Sequence, residues 1–312
     1  MKENNTNNVE NAKSVGIVVV TYNRLSLLKE VIAALRIQSF TDFQIIVVNN
    51  GSTDQTQEWL EGQKDIILIT QPNLGGAGGF FTGMKYVAEH GFDYCWVMDD
   101  DVVCHHDALA ELYHAYTRKS NIGFVCSKVI GIDGCPMNTP VVDERPTKNG
   151  YASYIDLISD SMIKVKTATF VSVFCGVSII RRVGLPYKEF FIWGDDTEYT
   201  MRIAQQYECY MACKSIVVHK RTIQAALSFE METNPSRLRM YFYQFRNNAF
   251  ILFKYNAEYK NRFRKLLFFL KKAIECLVLL LKAQYFKAGV VWRSTISLFA
   301  FNPRIEYPDN EK

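Results

Sequence analysis

The sequence predicts an α/β fold: a mostly parallel sheet flanked by helices, followed by a helical C-terminal extension. Two observations lead there. Five short apolar runs within residues 15 to 130 are separated by segments of helical period, the pattern of strands buried on both faces. From Arg237 onward the chain changes to long, basic, aromatic-rich stretches with no strand pattern. A chain of 312 residues with 48% apolar residues buries a large core, and with only 8 Pro and 17 Gly it is neither collagen-like nor linker-rich.

The elements follow in order. Val15 to Val20 is the first apolar run, and Leu25 to Ile37 carries a helical pattern behind it. Phe43 to Val48 is the second run; Ser52 or Thr53 offers an N-cap to a helix ending near Leu60. Ile66 to Ile69 and Tyr94 to Met98 are the next strands, with a helix from Gly76 to His90 between them. Asp107 to Arg118 reads as a helix and Gly123 to Val129 as a fifth buried strand. Ile130 to Gly150, with three prolines and three glycines, reads as a loop or flap. Tyr154 to Ile158, Ile163 to Val165 and Phe170 to Phe174 suggest a second, smaller sheet region. A helix from Thr197 to Tyr207 and a short strand from Ile216 to His219 complete this part.

Eight cysteines are scattered through mostly apolar runs without a CxxC pair, which points to reduced core thiols rather than a disulfide framework. The polar, Asn-rich segment from Met1 to Ser14 lacks the apolar stretch of a signal peptide. No run reaches the roughly 18 uncharged apolar residues of a membrane span. Charge is polarised: between Arg237 and Arg293 there are 13 Lys or Arg against Glu258 and Glu275, while the whole chain nets only +4.

In a parallel sheet, ligands gather beyond the carboxyl ends of the strands, where Thr21, Asn49, Asn73 and Asp99 fall. Asp99, Asp100 and Asp101 follow a buried strand, and three crowded carboxylates call for a compensating cation. An Asp-x-Asp pair has the reach to hold Mg²⁺ or Mn²⁺ against a diphosphate. His219, at the end of a later strand, is a candidate third ligand, with His105 and His106 as weaker rivals. Asp195 and Asp196 sit at the mouth of a helix, where either can serve as general base or as part of a capping network with Glu198. Trp193 is suited equally to flooring a sugar site and to filling the core. Asn73 to Phe80 carries four glycines in five positions, which permits close backbone approach to a ligand and leaves helix N–H groups for phosphate; packing is the competing explanation. Asn49 and Asp54 are placed to contact a uracil or ribose, with capping the alternative for Asp54.

These residues together resemble a family 2 glycosyltransferase of the GT-A fold, a Rossmann-like sheet. The likeness rests on Val18 to Arg24, Val48 to Asp54, Asn73 to Gly79, Met98 to Asp101 and Trp193 to Glu198, in the family's order and across about residues 15 to 220. It implies inverting transfer of a sugar from a nucleotide diphosphate, with Asp99, Asp101 and His219 holding the metal and Asp196, or its neighbour Asp195, as base. The donor-binding set carried over is Thr21, Asn23, Arg24, Asn49, Asp54, Asn73, Gly75, Gly76, Gly79, Asp99, Asp100 and Trp193. The glycine-rich segment and the aromatic-Trp-Asp-Asp run most resemble the galactofuranosyltransferases, with Gly194 as an insertion. The implied donor is UDP-galactofuranose; dTDP-rhamnose is the alternative, because rhamnosyltransferases share the Arg246-Asn247 segment.

The resulting division is residues 1–14 as a tail, 15–130 as the nucleotide-sugar half, 131–236 as the acceptor and catalytic half, and 237–312 as a basic helical region. The last suits either peripheral contact with the anionic inner face of a cell membrane, where a lipid-linked oligosaccharide or other glycan acceptor would be met, or a homo-oligomer interface. The localisation expected is accordingly cytoplasmic. A nucleic-acid binder would share the basic helices but has no use for two acidic clusters, so no nucleic-acid partner is expected. A sugar-binding module without catalysis has no need of Asp196.

Overall fold

The computed structural model describes residues 14–151, 157–221 and 228–309. Almost all of the expected N-terminal tail, and most of the strand expected at Tyr154 to Ile158, lie outside them.

Four strands build a fully parallel half in the order β3-β2-β1-β4: β1 (Val15–Thr21), β2 (Phe43–Asn49), β3 (Ile66–Thr70) and β4 (Tyr94–Asp99). The crossovers are α1 (Leu25–Arg36), α2 (Thr56–Glu61) and α3 (Gly75–Glu89). Every residue of β1 is buried, as a strand covered on both faces requires. Its side chains alternate: Val15, Ile17 and Val19 join a core with Leu28 and Ile32 of α1, while Val18 and Val20 join another with Phe80 and Met84 of α3. The two cores lie on opposite faces of one sheet.

Beyond β4 come β5 (Val102–Cys104), α4 (Ala108–Thr117), β6 (Ile122–Ile130), β7 (Val141–Val142) and β8 (Met162–Thr167). They are followed by β9 (Val173–Gly176), α5 (Val177–Val183), α6 (Asp195–Ala204) and β10 (Glu208–His219). The sheet continues β4-β9-β6-β10-β8-β7, with β5 pairing the end of β10. Strands β6 and β10 are parallel, and β9 runs antiparallel between β4 and β6. This corrects the expectation of a second, smaller sheet: β8 and β9 extend the main one. The β9 strand also begins three residues later than Phe170. A buried hydrogen-bond chain explains its place, since Ser172, at its start, accepts from Trp96 Nε1 of β4 at 2.9 Å and meets Ser127 of β6 at 2.7 Å.

Three helices close the chain: α7 (Pro235–Tyr255), α8 (Arg262–Leu281) and α9 (Tyr285–Ser297). The α7 helix is capped by Asn234, which accepts from the N–H groups of Ser236 and Arg237, with Pro235 at its first position. All eight cysteines are free, six of them buried.

Candidate active site

The first acidic cluster is held where β4 ends. Thr21 Oγ1 donates to Asp100 Oδ2 at 2.7 Å, and Arg24 Nη1 reaches Asp100 Oδ1 at 3.3 Å and Asp101 Oδ2 at 2.8 Å. Asp100 and Asp101 are buried. Pairing of β5 with β10 sets His219 opposite Val102, and the Lys220 N–H donates to the Asp101 carbonyl, which brings the end of β10 over the aspartates. His219 Nε2 comes to 3.1 Å from Asp101 Oδ1.

Ligand atoms of Asp99, Asp101 and His219 lie within 4.8 Å of one another. Asp101 Oδ1 is buried and receives no hydrogen bond from a described residue, so an acceptor oxygen is aimed at a point that a cation would fill. Asn138 turns its amide oxygen to His219 Nδ1 at 2.9 Å. That contact fixes the ring, and with the proton on Nδ1 the Nε2 lone pair would face a metal. The donor set fits a divalent ion. His105 and His106 are exposed and outside this group.

The electrostatics reflect crowding. Burial, then the charges of Asp101 and Asp100, push Asp99 well above the usual carboxylate range. Burial likewise lifts Asp100 to about 6 despite Arg24. For Asp101 burial is outweighed by His219 and Arg24, which hold it below its ordinary value.

The second cluster opens α6. Asp195 is buried and Asp196 is partly exposed. Asp196 Oδ1 accepts from Thr197 N at 2.6 Å and from Thr197 Oγ1 at 3.2 Å. Burial raises both carboxyls, Asp195 strongly, with repulsion from Asp196 as its second cause; hydrogen bonds from Thr197 partly offset the rise at Asp196. The charge of Asp196 also acts on Asp99, so the two clusters share one field. Fully buried Glu198 points elsewhere: it binds Arg202 and Lys254 at 3.0 Å each and also Tyr255, fastening α6 to α7. The helix starts two residues earlier than expected because Gly194 adopts φ +90°, a left-handed N-cap that suits glycine.

The turn before α6 is strained, with Phe191 at φ +63° and Trp193 at φ +61°. Asn247 of α7 holds it. Its Nδ2 donates to the carbonyls of Phe190 at 2.9 Å, Ile192 at 3.2 Å and Trp193 at 2.7 Å. Arg246 adds a bond to the Glu189 carbonyl at 2.7 Å and orients Asn247 through its Oδ1. Trp193 packs edge-on against Tyr241, with ring centroids 5.3 Å apart.

The same turn explains the glycine-rich segment differently from expectation. Gly75 has φ +74°, and a Cβ there would lie 2.0 Å from the Phe191 carbonyl oxygen. Ala77 N donates to that oxygen and Gly75 N to Asn73 Oδ1, so these N–H groups of the α3 start are taken by the protein rather than left for phosphate. A Cβ at Gly79 would strike Val20 in the core, whereas Gly76 faces open space.

At the ends of β1 and β2, the Asn23 side chain accepts from Thr53 N at 2.6 Å and Ser52 Oγ accepts from Asn23 N at 2.9 Å. Ser52 and Thr53 therefore knit two loops together and do not cap α2. The Thr56 N–H instead finds Asp54 Oδ1 at 3.0 Å. Asn49 is buried and committed to Gln57 and the Ser52 N–H. Thr21, Asn23, Arg24, Asp54 and Asn73 thus surround the carboxyl ends of the parallel strands. The reading of the sequence missed Asn138, whose only signal was its place in a Gly/Pro-rich loop. It also assigned no role to Asn247.

A mostly parallel sheet flanked by helices, with two acidic clusters at its carboxyl end, is a GT-A-type architecture. The family model "Glycosyl transferase family 2" matches residues 16–182, and the chain belongs to that family. It is 26% identical over 195 residues to the galactofuranosyltransferase GlfT1 of Mycolicibacterium smegmatis, covering 60% of this chain and 64% of the relative. With GlfT1 of Mycobacterium tuberculosis strain H37Rv it is 28% identical over 200 residues, 61% of this chain and 64% of the relative. The chain thus spans somewhat less than two thirds of these curated relatives. Among solved structures, S. aureus TarS 1–349 in complex with UDP-GlcNAc aligns at TM-score 0.55 and 15% identity, over 79% of this chain and 68% of that one. The mannosyltransferase PcManGT of Pyrobaculum calidifontis, in complex with GDP-Man and Mn²⁺, aligns at 0.51 and 14%, over 92% and 87%. These two likenesses carry the fold.

Proposed function

We propose that the chain is an inverting, metal-dependent transferase that moves galactofuranose from UDP-galactofuranose to a lipid-linked or other glycan acceptor in bacterial cell-surface polysaccharide synthesis. The observation that carries the chemistry is the grouping of Asp99, Asp101 and His219 at the strand ends, with ligand atoms within 4.8 Å of one another. The likeness to the mycobacterial galactofuranosyltransferases supports the sugar.

In this reading residues 15–130 bind the donor and 131–236 the acceptor. Asp99, Asp101 and His219 would hold Mn²⁺ or Mg²⁺, whose positive charge would offset that of a leaving diphosphate. Asp196 takes the proton of the acceptor hydroxyl as that oxygen bonds to the anomeric carbon. The bond from that carbon to the diphosphate breaks, and its electron pair leaves with the diphosphate. Asp100, tied to Thr21 and Arg24, is left to orient the sugar or ribose.

Saturation-transfer NMR with Mg²⁺ and each donor separately tests the sugar. Signals on the uridine and furanose protons, with none from dTDP-rhamnose, are expected. A preference for dTDP-rhamnose would replace the donor and keep the enzyme class, and the shared Arg246-Asn247 segment makes it the competing choice. The metal site has its own test. Asn138→Ala removes the acceptor that orients His219 and is expected to weaken Mn²⁺ binding by about 10- to 100-fold, read by calorimetric titration. Unchanged Mn²⁺ affinity would show that Asn138 does not orient a metal ligand.

A further inference from the structure

The α8 helix has two faces, and among the described residues only one of them is packed against the rest of the chain. On the inner face Phe268 meets Phe253 of α7 with ring centroids 5.0 Å apart, Phe269 stacks on Phe299 at 5.0 Å, and Cys276 Sγ donates to the Ala288 carbonyl of α9. On the outer face Phe263, Leu267, Leu270, Ile274, Leu277 and Leu281 recur at alternating spacings of four and three. They are 41 to 80% exposed. Leu266 and Leu280 widen this stripe along one side, while Arg264 and Lys271 line the other, both exposed. The single acidic residue of α8, Glu275, is engaged by Lys272 at 2.8 Å.

A spacing of four and three also suits a helix from a second copy, so charge must choose the occupant. In an antiparallel pair over this seam Arg264 and Lys271 would face basic counterparts. In a parallel pair they would face the Leu266 and Ala273 flank. Neither arrangement supplies a carboxylate. A lipid surface with anionic headgroups supplies both halves of the match: acyl chains for the stripe and phosphates for the cations beside it. The surplus of basic residues between Arg237 and Arg293 adds a longer-range attraction. Among the described residues no helix is long and apolar enough to cross a membrane.

We infer that the outer face of α8 docks the protein on an anionic membrane surface, with the helix lying in the plane of the interface. The inference holds whichever sugar is transferred. Vesicle flotation of the full chain tests it, with phosphatidylcholine alone and with phosphatidylcholine mixed with phosphatidylglycerol. The expected result is at least about tenfold stronger partitioning to the anionic vesicles, weakening as salt rises. The double variant Leu270→Glu, Ile274→Glu should lose flotation, and Arg264→Glu, Lys271→Glu should lose the preference for phosphatidylglycerol. Both alter exposed positions, and circular dichroism matching the native chain verifies their fold. Should either variant misfold, the native chain's lipid preference and salt response still decide the matter. Failure of the native chain to float with either vesicle, or equal partitioning to both, overturns the inference. So does a native dimer in light scattering that Leu270→Glu, Ile274→Glu dissociates, because the second copy would then be the occupant.

Discussion

Asp196→Asn is expected to lower sugar transfer by about 10²- to 10⁴-fold, the usual worth of a positioned general base. Donor binding should stay unchanged, because Asp99, Asp101, His219 and the strand-end loops are untouched. The substitution is close to isosteric, and an amide oxygen still accepts from Thr197 N. What it removes is the proton acceptor. Burial raises the Asp196 carboxyl above its ordinary value, so the acid limb of kcat/KM should lie above the usual carboxylate range. Activity falls as pH drops through that limb, since the protonated acid cannot accept a second proton. The residual activity of Asp196→Asn should lack the limb. Steady-state kinetics across pH, with donor affinity measured in parallel, checks both. If Asp195→Asn abolishes transfer while Asp196→Asn does not, the base moves one residue back.

The second large effect concerns a residue outside the acidic clusters. Asn247→Leu deletes a buried amide that donates to three carbonyls of the Phe190–Trp193 turn. Leaving such acceptors without donors costs on the order of 3 kcal/mol, seen as a shift in the denaturant midpoint. Activity should fall further than stability alone explains, because Phe191 and Trp193 lose the restraint on their left-handed backbone and the start of α6 loses its aim. The loss should appear in kcat more than in KM for the donor. Asn247→Asp makes a sharper test: it keeps the shape but turns an acceptor toward three acceptors, and should be at least as damaging. Full activity in both variants would show that the turn holds itself.

How far the sequence could be read depended on whether the signal was periodic. Apart from β5, the strands and helices between Val15 and Ile130 emerge at nearly their expected bounds because each strand is one buried run and each helix one periodic stripe between polar turns. The β9 strand was displaced because apolar residues lie on both sides of Ser172 from Phe170 to Cys175. Period alone cannot say which part of such a run pairs; Ser172 decides it through bonds to residues 76 and 45 positions away. The acidic clusters were legible as unusual chemistry at strand ends. The structure brings Asp99, Asp101 and His219 together through the β5–β10 pairing, a three-residue strand too short to have left a pattern. Gly75 and Gly79 were read toward phosphate, whereas their neighbours are Phe191 and Val20, contacts that no local pattern encodes.

The position of β9 has a consequence for how the chain is made. Until residues 173 to 176 leave the ribosome, β4 has one open edge, and β6 lacks the strand that joins it to the parallel half. The half containing β1 to β4 therefore waits, through the synthesis of the whole β5 to β8 region, with the unpaired backbone of an apolar strand available to other chains. Fragments ending before Val173 should be the sticky ones in a truncation series, and those reaching past Gly176 should be the first to stay in solution.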